Sequence, residues 1–220
     1  MTVPIEWALL GGGLALVGGV VALVRARARR RREALQELCL IRGFRFEDGR
    51  PGAERTHADV LGLFDAGHSR KWGCTLSGSK NGVPFTAFEY EWVTGGGKSR
   101  HTHQVRAIVW EDPRTAFPMF ALTPEGFLSR IGQAFGMQDI DFVDAPEFSR
   151  AYRLRGDDEA AIRTFFTPEL RAFLAATPDQ RVSARGPSLF WWQNGRLPAV
   201  EALDEWLDEG DRLRRRFFKT

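Results

Sequence analysis

Residues 7–24 read WALLGGGLALVGGVVALV, 18 uncharged residues in a row, and six arginines follow in the next eight positions: Arg25, Arg27, Arg29, Arg30, Arg31 and Arg32. As a helix rising about 1.5 Å per residue the run extends about 27 Å, and with residues 3–5 added it matches the roughly 30 Å hydrocarbon core of a bilayer. A helix buried in a soluble domain competes with this reading, but nothing polar interrupts the run and charge follows it at once. A cleaved signal peptide requires a positive start, a shorter apolar core and a small-residue exit, whereas this chain starts with Glu6 and exits through Arg25-Ala26-Arg27. The run predicts an uncleaved single-span anchor. All six arginines lie on its C-terminal side, which places the following domain in the cytoplasm and the amino terminus outside. Gly11, Ala15 and Gly19 recur every four residues and offer a small-residue face for a homodimer of anchor helices; glycine is also common in membrane helices for no such reason.

The net charge of +3, from 31 basic and 28 acidic side chains, conceals an uneven distribution. Six basic residues lie in 25–32 and five in 212–219, whereas every acidic residue but Glu6 lies in 33–211, leaving that stretch with a balance of −7. A nucleic-acid-binding core is disfavoured, because phosphate neutralisation needs a basic domain and not basic ends. Two cysteines, Cys39 and Cys74, are too few for a disulfide scaffold and agree with a reducing compartment.

The helix is expected to run on past Arg25, with apolar positions 34, 35, 38 and 39 and a stop at Gly43. The chain then divides into an anchor over 1–24, a basic juxtamembrane helical stalk over 25–43 and a cytoplasmic α+β domain over 44–220, with a mainly antiparallel sheet and packed helices. A short strand is expected at 44–46 and a short helix near 59–64. Asn81-Gly82 is a strong two-residue hairpin signal. After it, Phe88, Tyr90 and Trp92 share one strand face, Glu89 and Glu91 the other. A loop over 94–101 then sets Phe88 opposite Ala107, Tyr90 opposite Val105, Trp92 opposite His103 and Glu89 opposite Arg106, matching apolar to apolar and charge to charge. Further strands are expected at 119–122, 152–154, 182–184 and 189–192. Thr123-Pro124-Glu125 predicts a helix through Phe135 and Thr167-Pro168-Glu169 one through Ala176, each from a Thr cap with Pro at the first turn, and Asp157-Asp158-Glu159 opens one through Phe166. The last helix starts at Pro198, acidic first and basic last, with Gly210 weakening its middle.

Chemistry-bearing patterns are sparse. Thr94-Gly95-Gly96-Gly97-Lys98-Ser99 ends like a phosphate loop, but Trp92 stands where the first glycine belongs and the segment joins two strands. His101 and His103 share a strand face at metal-chelating spacing without a third ligand nearby. Cys74, opposite Glu89, projects away from the His103 face, which disfavours a nucleophile pair. Asp139, Asp141 and Asp144 are either a cation or acid/base cluster, or surface carboxylates flanking buried Ile140 and Phe142. His101, His103, Asp139 and Asp141 are the candidate polar site, and no metal or cofactor is expected. At the far end Arg212, Arg214, Arg215, Arg216, Phe217 and Phe218 combine charge and aromatics, and with Arg25, Arg27 and Arg29 to Arg32 form a candidate contact with an anionic inner leaflet; a helix end complementing its own dipole explains them equally.

Leu63-Phe64, Gly67-His68-Ser69-Arg70, Gly82-Val83-Pro84-Phe85 with Phe88-Glu89-Tyr90, and Gly132 to Phe135 with Asp139-Ile140-Asp141-Phe142 resemble an uncharacterised bacterial family of single-pass membrane-anchored proteins, a domain of unknown function. The resemblance extends from the anchor through about Leu174. It implies the bacterial cytoplasmic (inner) membrane and brings no catalytic residue. The expected function is a non-catalytic binding or scaffold module at the inner leaflet, with an unknown protein partner; a membrane-tethered hydrolase and a small-molecule sensor are the alternatives.

Overall fold

Asn81 and Gly82 both adopt positive φ, 51° and 78°, the geometry that a two-residue hairpin turn needs to match the twist of its strands. They join β2 (His68–Lys80) to β3 (Val83–Thr94), and the next loop leads into β4 (His101–Glu111). The computed structural model describes residues 5–49, 59–126 and 137–218, except for the side chains of 5–17. Phe88 lies opposite Ala107, Glu89 opposite Arg106, Tyr90 opposite Val105 and Trp92 opposite His103, the register expected from the sequence. The remaining strands are β1 (Arg45–Asp48), β5 (Phe117–Pro124), β6 (Gln138–Asp139), β7 (Tyr152–Gly156), β8 (Val182–Gly186) and β9 (Ser188–Asn194). Among the described residues these nine strands pair antiparallel in one sheet, in the order β1-β2-β3-β4-β9-β8-β5-β7-β6. The chain is therefore an α+β fold.

Helix ends follow their caps. Asp158 accepts from the Ala161 amide to open α3 (Glu159–Phe165), and Thr167 accepts from the Leu170 amide to open α4 (Pro168–Ala176). A short helix over Pro146–Ala151, α2, was not expected from the sequence; α5 spans Val200–Phe217. Thr123 and Pro124 belong to β5 and open no helix there, because their strand pairs with Arg153 and Tyr152 of β7; Glu125 and Gly126 form a turn, and residues 127–135 of that expected helix lie outside the described residues. Near residues 59–64 the helical turn is a single 3-10 turn, Leu63–Asp65, with the Asp59 carboxylate accepting from the Leu63 and Phe64 amides, each at 2.8 Å.

Both sheet faces are buried. Phe85, Ala87, Ile108, Trp110, Phe120, Leu154 and Trp191 meet the helices in the larger core, while Phe88, Tyr90, Trp92, Val109, Phe190 and Trp192 pack beneath Leu61, Leu63 and Phe64 on the other face. The aromatic face of β3 is as expected from the sequence, and its other face, through Phe85 and Ala87, lies in the larger core because helices distant in sequence cover it.

The first helix, α1, is continuous over Ile5–Arg42, and Gly43 ends it at φ 69°. Residues 18–30 are exposed without exception, whereas Leu35 and Cys39 are fully buried in the larger core. Residues 31–42 thus pack as part of the domain, and the preceding length of helix projects from it. Among the described residues no helix is long and apolar enough to cross a membrane. The side chains of residues 5–17, most of the apolar run, lie outside that description, as do those of Gly11 and Ala15 from the expected dimer face. Nothing lies within 4 Å of a Cβ built on Gly19.

Candidate functional site

Where α1 meets the sheet, Glu89 of β3 lies 7% exposed. A carboxylate this deep needs a full set of donors, since an uncompensated buried charge costs several kcal/mol. Arg31 donates Nη2 to Glu89 Oε1 and also to the Leu197 carbonyl at 2.8 Å, while the Leu197 amide donates to the same Glu89 oxygen at 2.9 Å. Gly73 makes room for this carboxylate: a Cβ there would lie 2.7 Å from Glu89 Oε2. Arg32 pairs with Asp48 at 2.8 Å, and Arg42 pairs with Asp204 of α5. Three arginines of α1 therefore fasten the helix to β3, β1 and α5. Arg106, the expected partner of Glu89, instead donates to Gln193 Oε1 at 2.9 Å and lies 5.7 Å from the centre of the Trp206 ring, because Arg31 has taken the carboxylate.

Beside this junction runs a groove of about 320 Å³, bounded by Ala28, Arg31 and Arg32 of α1 and by Lys71, Gly73, Glu91, Gln104 and Arg196 of the domain. Its lining is polar and apolar in equal measure, with the cationic side chains of Arg31, Arg32, Lys71 and Arg196 around it, which suits recognition of an anionic group. Cys74 on its floor and Cys39 behind it are both buried. Burial, with the neighbouring Cys74, pushes the Cys39 thiol up to about 11, and burial with the Glu89 carboxylate likewise raises Cys74, so neither is an activated nucleophile.

The candidate polar site does not assemble. His103 stacks on Trp92 with ring centres 4.9 Å apart and its Nε2 is 2.8 Å from Thr94 Oγ1; His101 is exposed at the start of β4. Asp139 sits on β6, paired with Arg155 at 2.5 Å, and Asp141 is exposed just beyond it. Five strand spacings of about 4.8 Å separate β4 from β6, so the histidines and aspartates stand about 24 Å apart. Among the described residues no three His, Cys, Asp or Glu converge as a metal site would require.

The candidate C-terminal lipid-contact residues divide between the interior and the surface. Phe217 is fully buried, Phe218 packs edge-on against Phe117 at 4.9 Å, and Arg214 is 6% exposed. Arg214 and Arg215 both hydrogen-bond the fully buried Asp211, which also accepts from Asn81 Nδ2 at 2.7 Å. Burial pushes the Asp211 carboxyl up, but the hydrogen bonds from Arg214, Arg215 and Asn81 outweigh it and hold it below the ordinary range. These groups satisfy the domain's own interior. Arg212 and Arg216 remain exposed, Arg216 with its guanidinium 4.8 Å from the Phe173 ring centre, along a groove of about 460 Å³ between α4 and α5. Of the α1 arginines, Arg31 is part of the domain and Arg29 pairs with Glu33 at 2.8 Å, while Arg25, Arg27 and Arg30 are exposed.

No family model matches the chain, and no curated protein is similar to it in sequence. Among solved structures it is similar to the mycobacterial trehalose monomycolate transport factor A, with a TM-score of 0.54 at 14% identity over 86% of this chain and 92% of that one. The likeness is one of fold.

Proposed function

We propose that the chain is a non-catalytic, membrane-tethered accessory module: α1 inserts its apolar half in the bilayer, and the domain is held rigidly beneath it as a binding platform on the cytoplasmic side. The observation that carries this reading is the form of α1. It leaves the domain exposed on every side over residues 18–30, with Val20, Val21, Leu23 and Val24 uncovered, while its last turns are pinned into the fold by Arg31, Leu35 and Cys39. An apolar helix that no part of its own domain covers is costly in water, at about 25 cal/mol per Å² of apolar surface, and a bilayer removes that cost. The similar fold of a transport factor supports an accessory role in transport, and the distance between the histidine and aspartate candidates weighs against the hydrolase alternative.

The test is extraction of native membranes holding the full chain. The expected result is retention through alkaline carbonate washing, followed by crosslinking to one integral membrane protein in fixed proportion. Release by carbonate overturns the anchor; retention with no such crosslink overturns the accessory role.

A further inference from the structure

Contacts along α1 fix which end of the sheet faces the anchor. Phe44, just past the helix, packs on Phe85 and Gly78; Arg32 reaches Asp48, whose strand neighbour is Cys74; Arg31 reaches Glu89; and Ala28 borders the groove with Lys71, Glu91 and Gln104. Toward its amino end the helix therefore climbs toward the start of β2, the tip between β3 and β4, and the end of β9. The Asn81-Gly82 turn and Asp211 lie at the opposite end, so the C-terminal arginines point away from the anchor.

The anchor-facing end is positively charged. Lys71, Lys98, Arg100 and Arg196 are exposed and make no ion pair among the described residues, and Arg70 lies 3.7 Å from the Asp65 carboxylate. Among the described residues the carboxylates at this end are Asp65, Asp59 beside it with its oxygens on the Leu63 and Phe64 amides, and Glu91, which accepts from Gln104 at 3.3 Å, with Glu89 occupied by Arg31. Residues 95–101 are all exposed, Gly95 and Gly97 hold φ 69° and 54°, and His68 Nε2 donates to the Gly95 carbonyl at 2.9 Å, tying the tip to the start of β2.

Resting on the anchor reading, we propose that this tip, with Arg70, Lys71, Lys98, Arg100 and Arg196, is a second membrane contact that binds the phosphates of anionic lipid headgroups in the bilayer that holds α1. The levels agree. From Ala28 to Val24, where the apolar run ends, α1 climbs about 6 Å at about 1.5 Å per residue, the depth of one headgroup layer. From Glu91 to Thr94 the hairpin rises about 10 Å at about 3.3 Å per residue, which carries Lys98 and Arg100 into that layer. Charge complementarity names the occupant, since basic side chains near an anionic leaflet are attracted within a Debye length. The contact makes the domain lean on the membrane at two points and fixes its orientation.

The experiment uses the full chain in vesicles containing phosphatidylglycerol or only phosphatidylcholine, with an environment-sensitive fluorophore on Ser99→Cys at the tip or on Ser79→Cys at the opposite end, and a quencher on the lipid headgroup. Quenching at position 99 in phosphatidylglycerol vesicles is expected, at least halved in phosphatidylcholine, by added salt or by K98E with R100E, and absent at position 79. Flotation with the vesicles after carbonate washing reports the anchor separately. A chain that floats but shows no quenching at 99, or quenching insensitive to lipid charge, or equal quenching at 79, overturns the tip contact alone. A chain that does not float overturns the anchor and the tip contact with it.

Discussion

Arg31 of α1 closes onto Glu89 of β3 across 58 residues of sequence, and the Leu197 backbone completes the contact from both sides, its amide donating to the carboxylate and its carbonyl accepting from the guanidinium. One ion pair thereby joins the projecting helix, the third strand of the sheet and the segment leading into α5. The pair adds a directional contact to the apolar packing of Leu35 and Cys39, and so helps fix where along the sheet the helix sits.

Truncation of either partner strands the other in a half-buried site. Arg31→Ala and Glu89→Gln are each expected to destabilise the domain by about 2 kcal/mol, below the figure for a fully buried pair because Arg31 is 27% exposed. The double variant should cost less than the sum of the two. Urea unfolding of the three variants checks this, and hydrogen exchange should show residues 31–42 losing protection first.

Asp211 is held by Arg214, Arg215 and Asn81 while fully buried. Asp211→Ala leaves Arg214 charged and unpaired in the interior and is expected to cost about 3–5 kcal/mol. The folded-state carboxyl lies below its unfolded value, so its contribution is present above about pH 4 and is lost as pH falls further through the folded value. The midpoint of acid unfolding, followed by tryptophan fluorescence, should shift upward in Asp211→Asn.

Gly210 looked like a weak point in α5. A Cβ there would lie 2.7 Å from the Trp110 ring, 2.8 Å from Trp191 and 2.9 Å from Ile108. Gly210→Ala gains about 1 kcal/mol of helix propensity and loses about 1–3 kcal/mol to overpacking against rings that cannot move aside. Net destabilisation is expected, read as a lowered Tm in calorimetry; an equal or raised Tm refutes it.

Burial raises the Asp59 carboxyl to about 6, against the amides of Phe64 and Leu63, which pull it down, and the Asp65 charge, which adds a smaller upward push. With the folded value above the unfolded one, its contribution is fully present below about pH 4 and is lost as pH rises through about 6. The 3-10 turn over Leu63–Asp65 is therefore expected to be held more firmly at pH 5 than at pH 7.5. Amide exchange at Leu63 and Phe64, corrected for the intrinsic rate, measures it.

Cys39 and Cys74 are buried with raised pKa values, so alkylation of the native protein at pH 8 should proceed only as fast as the domain opens. Rapid modification of either thiol in native buffer would show that α1 detaches from the sheet.

What the sequence determined by itself lies in short range. The β3–β4 register, the Asn81-Gly82 turn, the Asp158 and Thr167 caps and the Gly43 stop all depend on period, turn chemistry and caps within about twenty residues, where the backbone has few alternatives. The same reading misjudged Thr123-Pro124, because a strand pairing with β7 some thirty residues on outweighed a local capping signal. Only the tertiary structure decided the strand order that parts His103 from Asp139, the choice of Arg31 over Arg106 for Glu89, and the burial of Phe217 and Arg214 at the end of α5. These are choices among partners far apart in sequence. They are settled by which apolar faces close over one another, and each charged group then takes whatever donor or acceptor that closure leaves within reach.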